Sequence, residues 1–190
     1  MKKKYLLVLL MFISLILMQA QENTLPYREI PDDSETYTAG TVAARMIDGL
    51  GFRYYWATEG LTTADLKFKP NSEARTSGET VDHILGLSRV IVNATLQKAN
   101  TKVDDSGLTF EEKRELTLNN LKRAADILRD SEDISKFQID FGSQKFPFWN
   151  AVNGPIADGI WHCGQIVSFR RSSGNPFTSN VSLFSGKLKE

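Results

Sequence analysis

The sequence lacks the features on which several classes of protein depend. It contains one cysteine, Cys163, so the chain cannot form an internal disulfide. Basic and acidic residues balance at 23 each, which removes the electrostatic case for binding nucleic acid or an anionic membrane surface. Beyond residue 20, no apolar run approaches the ~18 residues that span a bilayer. We therefore expect a fold held by packing, with no nucleic-acid partner and no stable membrane association of the mature chain.

The start of the chain is typical of a secretory signal peptide. A run of lysines is followed by an apolar stretch, and small Ala20 precedes polar residues. This pattern predicts export to the periplasm or the extracellular space, with removal of residues 1–20. Met18 is large for the position two before Ala20, so an uncleaved anchor is the alternative.

The first helix is predicted from apolar residues that recur at helical spacing after Thr38 or Thr41 and continue to Gly60. Gly49 and Gly51 fall in its middle. Each glycine weakens the helix by ~1 kcal/mol relative to alanine. Close contact with a neighbouring helix is the expected reason for them.

The second and third helices begin at capping boxes, in which a threonine is followed three residues later by a glutamate. The second is predicted from Thr76 to about Ala99, and the third from Thr109 to about Arg129. Apolar residues repeat at helical spacing along both segments, so each should present one face to a core.

The helical period then breaks before a fourth helix. Alternating apolar residues between Phe137 and Phe141 predict a short strand, and Lys145 to Phe148 supply its partner in a small hairpin. Pro155 is either the first residue of the fourth helix or a kink within it, because proline lacks the amide proton of the helical ladder. Gly174 is the natural end of this helix.

These elements predict an all-α domain with the architecture of a four-helix bundle over residues 38–174. An extended N-terminal arm precedes it at residues 21–37, and a short β-hairpin or extended segment lies before the last helix. Residues 175–190 are predicted to form an extended C-terminal tail. Bundles of this kind build metal sites in the core, from side chains on facing helices.

The stretch from Asp158 to Gln165 carries the chemistry that stands out. Asp158 and His162 are four residues apart and lie on one face of a helix. An acid and an imidazole within an apolar segment are costly to bury unless they are paired, hydrogen-bonded or bound to a metal. The other histidine of the chain, His83, also lies in an apolar helical pattern. We therefore hypothesise that His83, Asp158 and His162 meet around one metal ion.

Each of these residues also has a simpler interpretation. A lone histidine such as His83 is more often a hydrogen-bonded core or surface residue, and Asp158 and His162 can form an intrahelical hydrogen bond. Gln165 can support a metal ligand by hydrogen bonding or can be a packing amide, and the sequence favours neither. Cys163 is turned by about 100° from His162 on a helix, and we interpret it as a core residue rather than a nucleophile.

The two histidine segments resemble the DinB/YfiT-like proteins, which are small metal-binding four-helix bundles. The resemblance rests on Thr80–Ile84, which contains His83, and on Asp158–Gln165. In that family the second helix supplies one histidine, and the last helix supplies a His-x-x-x-His pair followed by x-Gly-Gln. The resemblance covers the chain from about Thr38 to Gly174, and helix order, spacing and the trailing Gly-Gln all agree.

One position departs from the family pattern, because Asp158 stands where the family usually has the first histidine of the pair. A carboxylate still binds zinc, manganese, iron or nickel, so the resemblance implies a divalent transition metal as cofactor. The alternative is that the site has lost its metal and that Asp158 is a structural acid.

The resemblance implies a thiol-dependent transferase or isomerase, because these are the activities assigned to most characterised family members. An exported protein is poorly placed to meet a cytosolic thiol, so we expect metal-dependent hydrolysis of an unidentified small molecule as well. The alternative function is that of a non-catalytic exported binding or stress-response module. Family members often pair, and the apolar residues between Phe177 and Phe184 offer a surface for a homodimer.

Overall fold

The computed structural model describes residues 25–189, and this part of the chain is mainly helical. Its helices are α1 (Ala39–Thr58), α2 (Thr63–Lys67), α3 (Ser77–Thr95), α4 (Phe110–Arg129), α5 (Trp149–Ala151) and α6 (Ala157–Ser173). One antiparallel hairpin joins β1 (Gln138–Asp140) to β2 (Lys145–Pro147), and another joins β3 (Val181–Ser182) to β4 (Lys187–Leu188). The predicted signal peptide lies outside the described residues. Between residues 25 and 189, no helix combines the length and the apolar character needed to cross a bilayer.

The starts of α3 and α4 lie where the sequence predicts them. Thr76 and Thr109 each accept a hydrogen bond from the backbone amide three residues later, and the glutamate at that position accepts from the threonine amide in return. These reciprocal bonds satisfy amides that the helix itself cannot pair, and a cap of this kind contributes ~1 kcal/mol. Helix α1 begins in the same way at Thr38, with Thr41 as the reciprocal partner.

The long helices enclose one core. Helices α1 and α3 both pack against α4 on one side and against α6 on the other. Large side chains that are fully buried come from each of these helices, among them Phe52, Tyr54, Ile84, Leu85, Leu121, Leu128 and Ile166. The prediction of a helical domain with a small hairpin before the last helix is therefore confirmed.

Pro155 produces a kink rather than a helix start. A wide turn of π type over Val152–Ile156 separates α5 from α6, and Gly154 within it has φ −93° and ψ −110°, which is not helical. Proline has no amide proton for the ladder, and its ring disfavours the helical conformation of the preceding residue. The chain therefore changes direction one turn before α6 begins.

Helix α3 is shorter than the sequence predicts, because it ends at Thr95 and not near Ala99. Gln97 has a positive φ of 54°, which helices do not tolerate. The released chain pairs with the hairpin instead: Ala99 forms a bridge with Asp140 of β1, and the amide of Asn100 donates to the carbonyl of Asp140 at 2.7 Å.

The C-terminal tail is not simply extended, and this part of the prediction is wrong. Its strands β3 and β4 pair as a hairpin, and the carbonyl of Gly186 accepts a hydrogen bond of 2.8 Å from the amide of Ile30 in the N-terminal arm. Hydrogen bonds between strands satisfy backbone groups that an unpaired tail would leave to water. The tail and the arm thus support each other.

The reason predicted for Gly51 is also wrong. A Cβ atom at this position would lie 2.3 Å from the ring of Tyr27, so the close neighbour is the N-terminal arm rather than another helix. Tyr27 is buried, and its hydroxyl contacts the carboxylate of Asp48 at 3.2 Å. The arm is therefore docked on α1 through a ring that only glycine can accommodate.

Candidate metal centre

The structure brings the three predicted ligands together from two helices. His83 lies on α3, and Asp158 and His162 lie on α6. Each offers one ligand atom, and these atoms all lie within 4.8 Å of one another. The carboxylate of Asp158 stands between the imidazoles, with Oδ2 at 3.0 Å from Nε2 of His83 and Oδ1 at 3.4 Å from Nε2 of His162. The two rings meet edge to face, with centroids 4.6 Å apart.

The packing of α6 explains this arrangement. Gly159 lies against Leu50 of α1, and Cys163 and Ile166 continue the same buried stripe. Each of the residues Asp158, His162 and Gln165 immediately precedes a member of that stripe, so all three are turned by about 100° from it. They therefore lie at the margin of the core, where α6 passes α3.

The position of the site corrects one expectation, since the three side chains are not deep in the core. The side chains of His83 and Asp158 are 33% and 38% exposed, and that of His162 is 13% exposed. The site is therefore partly open to solvent, chiefly on the side of His83 and Asp158.

Gln165 holds the more buried histidine. Its Oε1 lies 2.7 Å from Nδ1 of His162. A carbonyl oxygen only accepts, so this contact matches the tautomer of His162 that is protonated on Nδ1, in which Nε2 is available to a metal ion. Metal-binding histidines are commonly oriented in this way by a hydrogen bond from the other ring nitrogen. Of the two roles that the sequence leaves open for Gln165, the structure favours support of a ligand.

The donor atoms and their spacing can hold a metal ion. Two imidazole nitrogens and one carboxylate oxygen are ligands for several divalent transition metals. A tetrahedral zinc ion with bonds of about 2.0–2.2 Å separates neighbouring ligand atoms by about 3.3 Å. With one ligand atom from each residue, the three atoms lie within 4.8 Å of one another, so the side chains would close on an ion to reach that separation. Three protein ligands also leave a coordination position open for water or substrate.

We call His83, Asp158 and His162 the triad. An open cavity of about 530 Å³ adjoins the triad, and we call it the site cavity. Besides the triad and Gln165, its walls are formed by Ala74, Arg75 and Phe169. The sequence gives no signal for these three residues. Ala74 and Arg75 reach the cavity because the connector between α2 and α3 docks on α6, where the rings of Phe68 and Phe169 lie 6.0 Å apart. That contact joins segments far apart in the chain.

Cys163 follows His162 directly but points into the core. It is 2% exposed, and burial raises the pKa of its thiol to about 12. A thiol in this state is neither a metal ligand nor a nucleophile at neutral pH. The prediction of a core cysteine is confirmed.

Comparison with known proteins identifies no relative: no family model, no curated protein and no solved structure matches the chain. The resemblance to DinB/YfiT-like proteins therefore rests on the residues of the two motifs. The convergence of these residues in space is a separate, geometric observation.

Proposed function

We propose that the chain is an exported, DinB-like four-helix bundle that binds one divalent transition metal ion through His83, Asp158 and His162. Two observations support the bundle. Helices α1, α4, α3 and α6 pack in a ring in that order, and the ligands lie on the second and the last of the long helices, as in the family that the motifs resemble. Zinc, nickel, manganese and iron are the candidate ions, because the donor set suits all four.

The observation that carries the proposal is the convergence of three donor atoms from two helices at an open cavity. The triad contains two of the chain's two histidines, and both direct Nε2 to the same carboxylate. His83, Asp158 and His162 would hold the ion, and the chemistry it would supply there is a water or thiol of lowered pKa that serves as the nucleophile. The corresponding activity is hydrolysis of a small molecule, or transfer to a small thiol.

The protein's own residues supply orientation and access. Gln165 fixes the ring of His162, and the carboxylate of Asp158 fixes the separation between the two imidazoles. The partial exposure of His83 and Asp158 leaves the cavity side of the site open to a substrate. A pre-oriented set of this kind avoids reorganisation when the ligand arrives.

Metal content tests the proposal. The purified protein is stripped with a chelator, incubated with zinc, dialysed, and measured by inductively coupled plasma mass spectrometry. We expect about one zinc ion per chain and a higher melting temperature with zinc than without it. His162→Ala should lose the ion, whereas Ser168→Ala, an exposed change elsewhere on α6, should keep it.

A second function is favoured by one specific observation. Both histidines also have hydrogen-bond partners without an ion, because His83 contacts Asp158 at 3.0 Å and His162 contacts Gln165 at 2.7 Å. In this case the protein is a non-catalytic exported binding or stress-response module, and Asp158 is a structural acid. A wild-type protein that retains no zinc, nickel, manganese or iron and gains no thermal stability from any of them would favour this alternative.

We also propose that the C-terminal tail forms the contact between two copies of the chain in a homodimer. Leu183 and Phe184, at the tip of the β3–β4 hairpin, are exposed, whereas Val181 is buried against the same chain. The surface for a second copy is thus limited to the hairpin tip. Sedimentation of the wild type and of Phe184→Ser at equal concentrations measures this directly, and a monomeric wild type would remove the proposal.

A further inference from the structure

Besides the triad, the site cavity is lined by one cationic and one aromatic side chain. Arg75 and Phe169 line it together with the triad, and Asp158 is the only acidic residue among the lining side chains. With a divalent ion on two neutral histidines and one carboxylate, the cavity carries an excess of positive charge. Such a cavity raises the local concentration of anions and not of cations.

The backbone that carries Arg75 is well fixed. The side-chain oxygen of Asn71 accepts hydrogen bonds of 3.0 Å from the amides of Glu73 and Ala74. The carbonyl of Phe68 accepts from the amide of Ser77 at 3.0 Å, which closes the connector against the start of α3. Arg75 itself directly precedes the capping box of that helix. Its Cα position is therefore set by the fold, although its side chain is exposed.

The guanidinium of Arg75 also has no acidic partner in the part of the chain that the structure describes. Arg89 pairs there with Asp105, and Arg114 pairs with Glu59. Glu79, the acid of the adjacent capping box, forms no ion pair with Arg75: its Oε2 accepts from the amide and hydroxyl of Thr76, and Arg75 contributes only a weaker attraction that helps to lower the pKa of its carboxyl. The five N–H groups of Arg75 are thus available to a ligand in the cavity. Arginine binds carboxylate and phosphate groups through two parallel hydrogen bonds.

We propose that the site cavity takes a small molecule with an oxyanion group, a carboxylate or a phosphate, that binds Arg75. The carbon skeleton of this ligand lies against Phe169, and its reacting group lies at the triad. The cavity volume of about 530 Å³ is that of a small-molecule site. This inference rests on the proposed metal site, because it assigns the substrate class of that site.

The test uses three probes of similar size: phenyl phosphate, benzoate and neutral benzamide. Their affinities are measured by calorimetry on the zinc-loaded full chain, with zinc content recorded for every sample. We expect both anions to bind and benzamide to bind about 10-fold more weakly or not at all, because a charge-assisted pair is lost. The stronger of the two anions identifies the oxyanion group.

Arg75→Gln should lower the affinity for both anions by about 10-fold. The zinc content should not change, because Arg75 is not a metal ligand. Arg75→Lys should recover part of the loss, since it keeps the charge without the paired hydrogen bonds. Arg123→Gln removes an exposed arginine of α4 outside the cavity and should behave as wild type.

The outcomes separate this inference from the proposed function. Zinc-loaded wild type whose anion affinities are unchanged in Arg75→Gln, or which prefers benzamide, overturns the oxyanion assignment and leaves the metal site standing. Wild type that holds no zinc overturns the proposed function, and the substrate assignment that rests on it falls as well.

Discussion

Helix α6 carries two polar clusters, one near each end, and they differ in what surrounds them. Near its start, Asp158 and His162 meet His83 at the side of an open cavity. Near its end, Arg170 and Ser173 join a network with Asp65 and Asn175, in which the two charged residues, Arg170 and Asp65, are buried. The first cluster is the triad, and we call the second the terminal network.

In the terminal network, the buried charged groups have hydrogen-bond partners within the protein. Arg170 is 4% exposed, and its guanidinium donates to backbone carbonyls at the end of α1 and beyond α6, namely those of Trp56, Ala57, Glu59 and Asn175. Asp65 is 3% exposed, and its carboxylate accepts hydrogen bonds from Thr62, Ser173 and Asn175. These contacts tie the ends of three helices together.

The difference separates structural from functional use of polar residues. In the terminal network, Arg170 donates chiefly to main-chain carbonyls, which cannot be exchanged for a ligand without breaking the fold. In the triad, the contacting atoms are side-chain nitrogens and oxygens that could hold a metal ion, and a cavity adjoins them. Loss of a terminal residue should therefore cost stability, and loss of a triad residue should cost binding.

The largest effect on stability is expected for Arg170→Met. The substitution keeps the bulk of the side chain but leaves buried carbonyls without donors and Asp65 without a neighbouring positive charge. We expect the free energy of unfolding to fall by about 3 kcal/mol or more, measured by urea denaturation. Arg171→Met, on the exposed neighbour, should change it by less than about 0.5 kcal/mol. Equal effects would remove the distinction between the two clusters.

A smaller effect, confined to binding, is expected for Gln165→Leu. Loss of the hydrogen bond to Nδ1 leaves the ring of His162 free to rotate and should lower the affinity for zinc about 10- to 100-fold. A competition titration with a fluorescent chelator measures this affinity. Gln165→Glu keeps an acceptor and should retain most of the affinity. The stability of the zinc-free protein should hardly change in either variant. Unchanged zinc affinity in Gln165→Leu would show that this contact does not orient a ligand.

The smallest effect is a pH dependence at Asp65. Burial by itself raises the pKa of this carboxyl, but hydrogen bonds from Asn175, Thr62 and Ser173 outweigh it and hold the pKa well below its usual range. A depressed pKa in the folded state stabilises the protein above the unfolded pKa of about 3.9, and the contribution is lost as the pH falls through the folded value.

Asp65→Asn should therefore be less stable than wild type by about 1–2 kcal/mol at pH 6. The gap should narrow as the pH falls below about 4, because wild type then loses the contribution that the variant lacks. Urea denaturation at several pH values measures both. Glu132→Gln, an exposed acid outside both clusters, serves as the control. A gap that stays constant from pH 6 to pH 2.5 would contradict the ionised hydrogen-bonded state of Asp65.

The sequence predicted the features that depend on local interactions. The capping boxes at Thr76 and Thr109 located two helix starts, because the bonds that begin a helix lie within a few residues. The spacing of Asp158 and His162 placed both side chains on one face for the same reason. The convergence with His83 depended on how two distant helices pack, and the structure brings the three residues together.

Features set by contacts between distant segments could not be predicted in this way. Helix α3 ends early because Ala99 pairs with Asp140, and Gly51 is required by the ring of Tyr27. Arg75 enters the site cavity only because its connector docks on α6. The depth of the triad was misjudged because α6 buries the stripe of Gly159 and Cys163 beside it, which periodicity alone does not resolve.

The central claim is that one ion binds where His83, Asp158 and His162 converge, and anomalous diffraction tests it most directly. Crystals of the zinc-loaded protein are measured above and below the zinc absorption edge. The account predicts one anomalous peak at about 2.0–2.2 Å from Nε2 of both histidines and from a carboxylate oxygen of Asp158. Absence of a peak there, with Asp158 still hydrogen-bonded to His83 at the 3.0 Å seen here, would contradict it.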